Sequence, residues 1–285
     1  MTTAAERLRP VPGAAPRAGG LLRAIYIVWW RDILRFQRDR IRLVASFAQP
    51  LLYLVVFGSG LSASLGRGFA GAGDVSYTQF IYPGVISMTV LFTSIFGAMS
   101  IVWDREFGFM KELLVAPIDR SAIAIGKTLG GATQAMAQGV VLLVLAPFVG
   151  VSLTVESVLA LLGLMAVLAF GLSAMGVAIA SRTRSMQGFQ VVMNFLMMPI
   201  LFLSGALFPL VGLPVWMTVL TRIDPASYGI DPIRRVLLGS SGFPIERLAM
   251  TIFDQTVPIA VESAIVIAFG LVMLGIAAVS FQHRD

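Results

Sequence analysis

Asp104-Arg105-Glu106-Phe107-Gly108-Phe109-Met110-Lys111-Glu112 is the stretch on which the reading of this chain turns. Apolar runs long enough to cross a membrane lie on both sides of it. Five ionised side chains fall within these nine residues. At a bilayer centre each costs roughly 2.5–3.5 kcal/mol, so the segment would cost on the order of 12 kcal/mol there. It therefore belongs in water or at the interface. It still carries an apolar stripe, Phe107, Met110, Leu113 and Leu114, at the spacing of one helix face. Pro117 forbids simple continuation of that helix. The pattern predicts a short amphipathic helix between two spans, with its charges facing outward. A bare connecting loop needs no apolar stripe.

Around this segment the chain is too apolar for a soluble domain. Hydrophobic residues make up 57% and charged residues 13%, and the mean hydropathy is +0.87. Several apolar runs exceed 18 residues, which predicts an all-α polytopic membrane protein. The net charge of +6 does not point to nucleic acid, because the basic residues flank apolar spans and form no single soluble face. With no cysteine, a disulfide framework, a thiolate nucleophile and a cysteine metal site are excluded. Residues 1–19 hold Pro, Gly, Ala and Arg without an apolar core, and read as a disordered arm, not a cleavable signal.

Residues 20–42 read as a basic amphipathic helix lying in the interface. Leu21, Ile25, Trp29 and Ile33 recur every four residues, and Arg31, Arg35, Arg38 and Arg42 mark the other face. Six transmembrane helices are predicted, at about 43–61 (kinked by Pro50), 80–103, 122–149, 155–180, 189–208 and 257–281. Lys127, just inside the third, is expected to snorkel. Six spans put both termini on one side. The Lys and Arg bias makes that side the cytoplasm, and the 104–120 helix with it. Residues 212–239 are broken by Pro214, Pro225 and Pro232. Their short apolar pieces read as re-entrant external helices, with Arg222, Arg234 and Arg235 pairing with Asp224 and Asp231 at the surface.

Most candidate chemistry fails. Gly126-Lys127-Thr128 resembles the end of a phosphate loop, but the required first glycine is Ser121 and the site opens a span. Gly126 and Gly130 read instead as a GxxxG packing pair. The single histidine, His283, lies in the tail. Glu156 and Glu262 fall near the outer ends of spans, and no carboxylate is placed mid-membrane, which argues against proton-coupled transport. Gln134, Gln138, Gln190 and Asn194 are polar residues within spans, and they either line a path or tie helices together. No catalytic or metal-ligating set emerges. The chain has spans, a helix suited to being gripped, and no engine of its own.

The run Asp104-Arg105-Glu106-Phe107-Gly108, with Leu113-Leu114, Pro117, Arg120 and Lys127, resembles the cytoplasmic connection of ABC-2 type permeases. So does Phe202-Leu203-Ser204-Gly205-Ala206-Leu207-Phe208-Pro209, followed by Leu213-Pro214, Trp216, Asp224-Pro225, Tyr228, Asp231 and Arg234. The subgroup resembled is that of the daunorubicin-type drug-resistance permeases and the nodulation exporters. The likeness runs from the basic N-terminal helix to the last span, so that 20–285 forms one ABC-2 type transmembrane domain. Phe109 departs from the small or polar residue frequent there, which puts the docking surface in question.

The resemblance implies the membrane-spanning subunit of an ATP-driven exporter, without an ATPase site. It would move a hydrophobic or amphipathic substrate (a drug, lipid or related compound) out across a bacterial plasma membrane, as in antibiotic efflux. Its implied partners are two copies of a cytoplasmic ABC ATPase and a second permease subunit, as a homodimer in the lipid bilayer. ATP and Mg would sit on the ATPase, leaving this chain without a cofactor. The 104–120 segment would be the coupling helix: Asp104, Arg105, Glu106, Lys111 and Glu112 as its charged tip, Phe107, Met110 and Leu114 as its apolar base, with Gly108, Pro117 and Arg120. The rival is an intramembrane enzyme acting on lipid or peptide. It needs a buried nucleophile with a base, which this sequence does not place.

Overall fold

The structure is a computed structural model that describes residues 18–65, 77–108, 119–208, 210, 213–239, 250–252 and 255–282. Its helices are α1 (Ala18–Arg38), α2 (Arg40–Leu65), α3 (Tyr77–Gly97), α4 (Met99–Glu106), α5 (Arg120–Val144), α6 (Val155–Arg182), α7 (Met186–Leu203), α8 (Val215–Ile223), α9 (Ser227–Gly239) and α10 (Ile259–Gln282). The strands Thr251–Ile252 and Gln255–Thr256 pair antiparallel before α10.

Helix boundaries follow local chemistry. Asp119 caps α5 by accepting from the Ser121 N–H, and Ser185 caps α7 through the Gly188 N–H. Thr154 and Ser157 form a reciprocal capping box at the start of α6. After α5 a 3₁₀ turn, Ala146–Val149, carries Pro147 and ends at Gly150 with φ 83°. The third predicted span is thus shorter as an α-helix than its apolar run, because Pro147 cannot extend it. Similarly α7 stops at Leu203, where Gly205 takes φ 75°.

Helices stand at all six positions read as spans. Four are long and apolar enough to cross a membrane: Tyr77–Glu106 (α3 and α4 together), Val155–Arg182, Met186–Leu203 and Ile259–Gln282. In α2 the apolar portion Leu43–Val56 is shorter, and α5 interrupts its apolar residues with Lys127, Gln134 and Gln138.

The core centres on α6, which packs against α10, α5, α3 and α9. Small residues permit close approach. A Cβ on Gly84 would fall 1.7 Å from the Ala206 carbonyl oxygen, and one on Gly171 2.8 Å from Val266. In lipid, where water does not drive helices together, such close packing is the main cohesive force. The Tyr82 hydroxyl, fully buried, donates to the Leu142 carbonyl and links α3 to α5. The outer face of α7 carries exposed Val191, Phe195, Met198 and Phe202.

Candidate coupling site

Asp104, Arg105 and Glu106 form the last turn of the helix that rises from the second span. They do not open a separate helix. Gly108, with φ 83°, ends that turn in the left-handed region open to glycine. From there, Met110, Lys111, Glu112, Leu114 and Pro117 lie outside the described residues, and the chain is described again from Asp119 and Arg120.

The outward-facing charge expected of Asp104 is not found. Its residue is only 3% exposed. One carboxylate oxygen accepts from Arg31 at 2.8 Å and from Lys127 Nζ at 3.0 Å, and the other accepts from Arg35 at 3.1 Å. Nor does Lys127 snorkel. Its ammonium is buried and also reaches Asp32 at 2.9 Å and the Ser100 hydroxyl at 3.0 Å. The physical reason is partner availability. A buried charge is costly alone, but here each acid and the lysine find opposite charge and hydrogen bonds together.

The glycine pair brings these charges within reach. A Cβ at Gly126 would meet Val28 at 2.8 Å, and one at Gly130 would meet Asp32 at 3.1 Å. This face of α5 therefore accepts α1 against its backbone and places Asp32 beside Lys127. Trp29 Nε1 adds a hydrogen bond to the Thr133 hydroxyl at 3.0 Å. Arg35 also lies 5.6 Å from the centre of the Trp103 ring, a cation–π contact.

Arg105 and Glu106 reach the other way. Arg105 donates to the carbonyls of Ala180, Ser181 and Thr183 at the C-terminal end of α6. Glu106 accepts the Met186 N–H at the start of α7, at 3.0 Å. Each charge sits at the helix end whose dipole favours it. Arg120 donates to the Gln282 carbonyl at 2.7 Å, at the end of α10. Phe107 is exposed and its ring lies 5.2 Å from that of Trp103. The two ends of the segment are thus fastened to α1, α5, α6, α7 and α10.

The polar span residues separate into two groups. Gln134 and Gln138 are buried on α5, and Gln138 donates to the Ser46 hydroxyl and accepts from Thr93. Gln190 and Asn194 lie on the exposed face of α7. These four are not brought together.

At the opposite end, the surface pairing expected of Arg234 and Arg235 is corrected: both are withdrawn from solvent. Arg234 is 2% exposed, donates to the carbonyls of Gly205, Ala206 and Phe208, and lies 5.2 Å from the Phe80 ring centre. Its burial pulls the guanidinium down to about 10, against the pull of Asp231. Arg235 bridges Asp231 at 3.0 Å and the fully buried Glu262. Asp224 caps the turn into α9 through the Ala226 N–H, and burial raises its carboxyl to about 7. The apolar side chains of α8, Val215, Trp216 and Val219 among them, are exposed, whereas most of α9 is buried.

A family model described as "ABC-2 type transporter" matches residues 23–238. The chain belongs to the ABC-2 type transporter family. Nodulation protein J of Rhizobium leguminosarum bv. trifolii is 30% identical over 224 residues, covering 78% of this chain and 83% of that protein. The inner membrane transport permease YadH of Escherichia coli K12 is 28% identical over 228 residues, 78% of this chain and 86% of YadH. The family agrees with the resemblance carried by the 104–120 and 202–234 motifs, and a transport permease role follows.

Sequence reasoning picked out the 104–106 triplet but missed the inward partners Arg31 and Arg35 of Asp104, and Asp32 and Ser100 of Lys127. A signal was present: Asp32 is the one acid in the basic helix α1, and Lys127 the one charge in the body of α5. Two lone charges of opposite sign in apolar surroundings are candidates for each other.

Proposed function

We propose that this ABC-2 family chain is the membrane-spanning subunit of an ATP-driven exporter. A separate cytoplasmic ABC ATPase, in two copies, supplies the energy, and a second permease subunit completes the path. The chain crosses the membrane six times with both termini in the cytoplasm, through α2, α3 with α4, α5, α6, α7 and α10. Segment 104–120 is the coupling element, and the substrate is a hydrophobic or amphipathic compound.

The observation that supports this reading best is the fastening of the segment's root. Asp104 joins α1 and α5 through Lys127, Arg31 and Arg35. Arg105 and Glu106 join the α6–α7 turn. A push at residues 109–118 is therefore delivered to several helices at once, as a lever requires. ATP-driven closure of the ATPase pair would tilt this block and exchange inward for outward access.

Affinity purification of the chain from native membranes tests the reading. An ABC ATPase should co-purify, and ATP hydrolysis by the complex should require the 109–118 segment. Recovery of the permease without any ATPase, under conditions that preserve membrane complexes, would overturn it.

A further inference from the structure

A cavity of about 350 Å³ lies between α1, α2, α3 and α5. Small-molecule sites usually enclose roughly 300–1,000 Å³, so this one suits a small guest. Most of its wall comes from one face of α3, through Met88, Thr89, Phe92, Thr93 and Phe96. From α2 come Ser46, Gln49 and Pro50, while Phe36 and Gln138 close the sides. Among the described residues that line it, none is ionisable.

The apolar part of the wall is aromatic. Phe92 and Phe96 lie parallel, with ring centroids 6.3 Å apart and planes within 3° of each other. Phe36 and the Met88 thioether border the same space. Such a wall favours a flat aromatic guest, which gains ring and sulfur contacts beyond its buried area. A charged guest would find no counter-ion there, and a buried charge without one is costly.

The polar part of the wall mostly accepts hydrogen bonds. Thr93 already donates its hydroxyl proton to Gln138, Thr89 to the Val85 carbonyl at 2.9 Å, and Ser46 to the Leu43 carbonyl at 2.7 Å. Gln138 in turn donates to the Ser46 hydroxyl at 2.7 Å. The threonine oxygens keep lone pairs, and only the glutamine amides have further N–H groups to offer. Pro50 adds another acceptor. It has no N–H, so the Ser46 carbonyl loses its helical donor one turn on, in a helix read as a span, where water does not replace it. Ser46 and Pro50 both border the cavity. A guest that donates there restores what the proline removes.

We propose that this cavity binds one uncharged aromatic compound that carries a hydrogen-bond donor, an aryl alcohol or aryl amide. Its rings lie along Phe92 and Phe96, and its donor meets the Ser46 carbonyl. The proposal rests on the reading of the chain as a permease for hydrophobic or amphipathic compounds, and it names which of them this cavity admits. Binding is read on the permease alone, so its failure would leave the coupling assignment standing.

Photolabelling of the full chain in nanodiscs tests it, with four probes that share a benzophenone core. The para-hydroxymethyl probe is neutral and donates a hydrogen bond, the para-methyl probe is neutral and does not, and the para-carboxylate and para-trimethylammoniomethyl probes are charged. Met88, whose S-methyl group traps excited benzophenone, reports occupancy by mass spectrometry. At equal bilayer concentration the hydroxymethyl probe should label Met88 saturably, and each charged probe about tenfold less. Pro50→Ala returns an N–H to the Ser46 carbonyl. It should weaken the hydroxymethyl probe about fivefold, the net effect of one hydrogen bond, and leave the methyl probe unchanged. Thr93→Phe, which fills the chamber, should abolish labelling of Met88 by both neutral probes. Equal labelling by a charged probe would overturn the proposal. So would unchanged binding of the hydroxymethyl probe to Pro50→Ala, which would mark a groove for lipid tails, or to Thr93→Phe. Should either variant fail to fold, the wild-type comparison of the four probes decides alone.

Discussion

Lys127→Met removes an ammonium and keeps much of the side chain's bulk. In the wild type the Lys127 side chain is 1% exposed, and those of Asp32 and Asp104 are 4% exposed. Truncating one partner of a buried ion pair costs about 3–5 kcal/mol, because the other charge stays buried. The two acids are not equally affected. Asp104 keeps Arg31 at 2.8 Å and Arg35 at 3.1 Å. Asp32 keeps the Ser100 hydroxyl at 3.5 Å among its described side-chain contacts. The loss should therefore fall at the lower end, about 3 kcal/mol, or roughly two orders of magnitude in the folding equilibrium. Neutralising the stranded acid with Asp32→Asn should then recover about 1–2 kcal/mol in the double variant. Unfolding by sodium dodecyl sulfate in mixed micelles, followed by far-ultraviolet circular dichroism, measures all four species of the cycle. A loss under about 1 kcal/mol for Lys127→Met, or an Asp32→Asn change that adds to the damage, would refute the buried-pair reasoning.

Three further outcomes are expected. Arg105→Gln should speed hydrogen exchange of amides 184–188 by about tenfold, since the charged hydrogen bonds at the end of α6 are worth about 1.5–3 kcal/mol each when fully formed; unchanged exchange there would contradict the clamp. Thermal stability should fall as pH rises from about 4 toward 7 through Asp224, whose raised carboxyl makes the folded state bind the extra proton in that window, and Asp224→Asn should flatten this part of the profile. In this cysteine-free chain, single cysteines at Ser121 and Ser185 should react only with cytoplasmic reagents and one at Ser64 only from outside; cytoplasmic labelling at Ser64 would break the six-span topology.

The helices were legible because apolar length is written locally. Runs such as residues 155–180 have no other use, and the four-residue apolar repeat of α1 marks a helix, which stands at Ala18–Arg38. The charged connection was legible as special, but its direction was not. Asp104 looks like a surface residue when only its neighbours Arg105 and Glu106 are considered. Its burial depends on Arg31 and Lys127, 73 and 23 residues away in sequence, brought together where α1 packs on the glycine face of α5. The same holds for Arg234, where two adjacent arginines at the end of an external segment suggested solvent. The carbonyls left at the α7 terminus, those of Gly205, Ala206 and Phe208, draw it inward instead. Polar residues at helical spacing within spans gave no indication that Gln138 would face α2 while Asn194 faced outward. That depends on which helices become neighbours, and periodicity does not encode it.

The most direct test of the coupling assignment reverses one charge in the segment while leaving its anchored root intact. Glu112→Lys, co-reconstituted in proteoliposomes with the partner ATPase, should insert and unfold like the wild type. It should lose most ATP-dependent transport and the substrate stimulation of ATP hydrolysis. Undiminished transport and hydrolysis, in Glu112→Lys and in the double reversal with Glu106→Lys, would contradict the assignment of 104–120 as the coupling element.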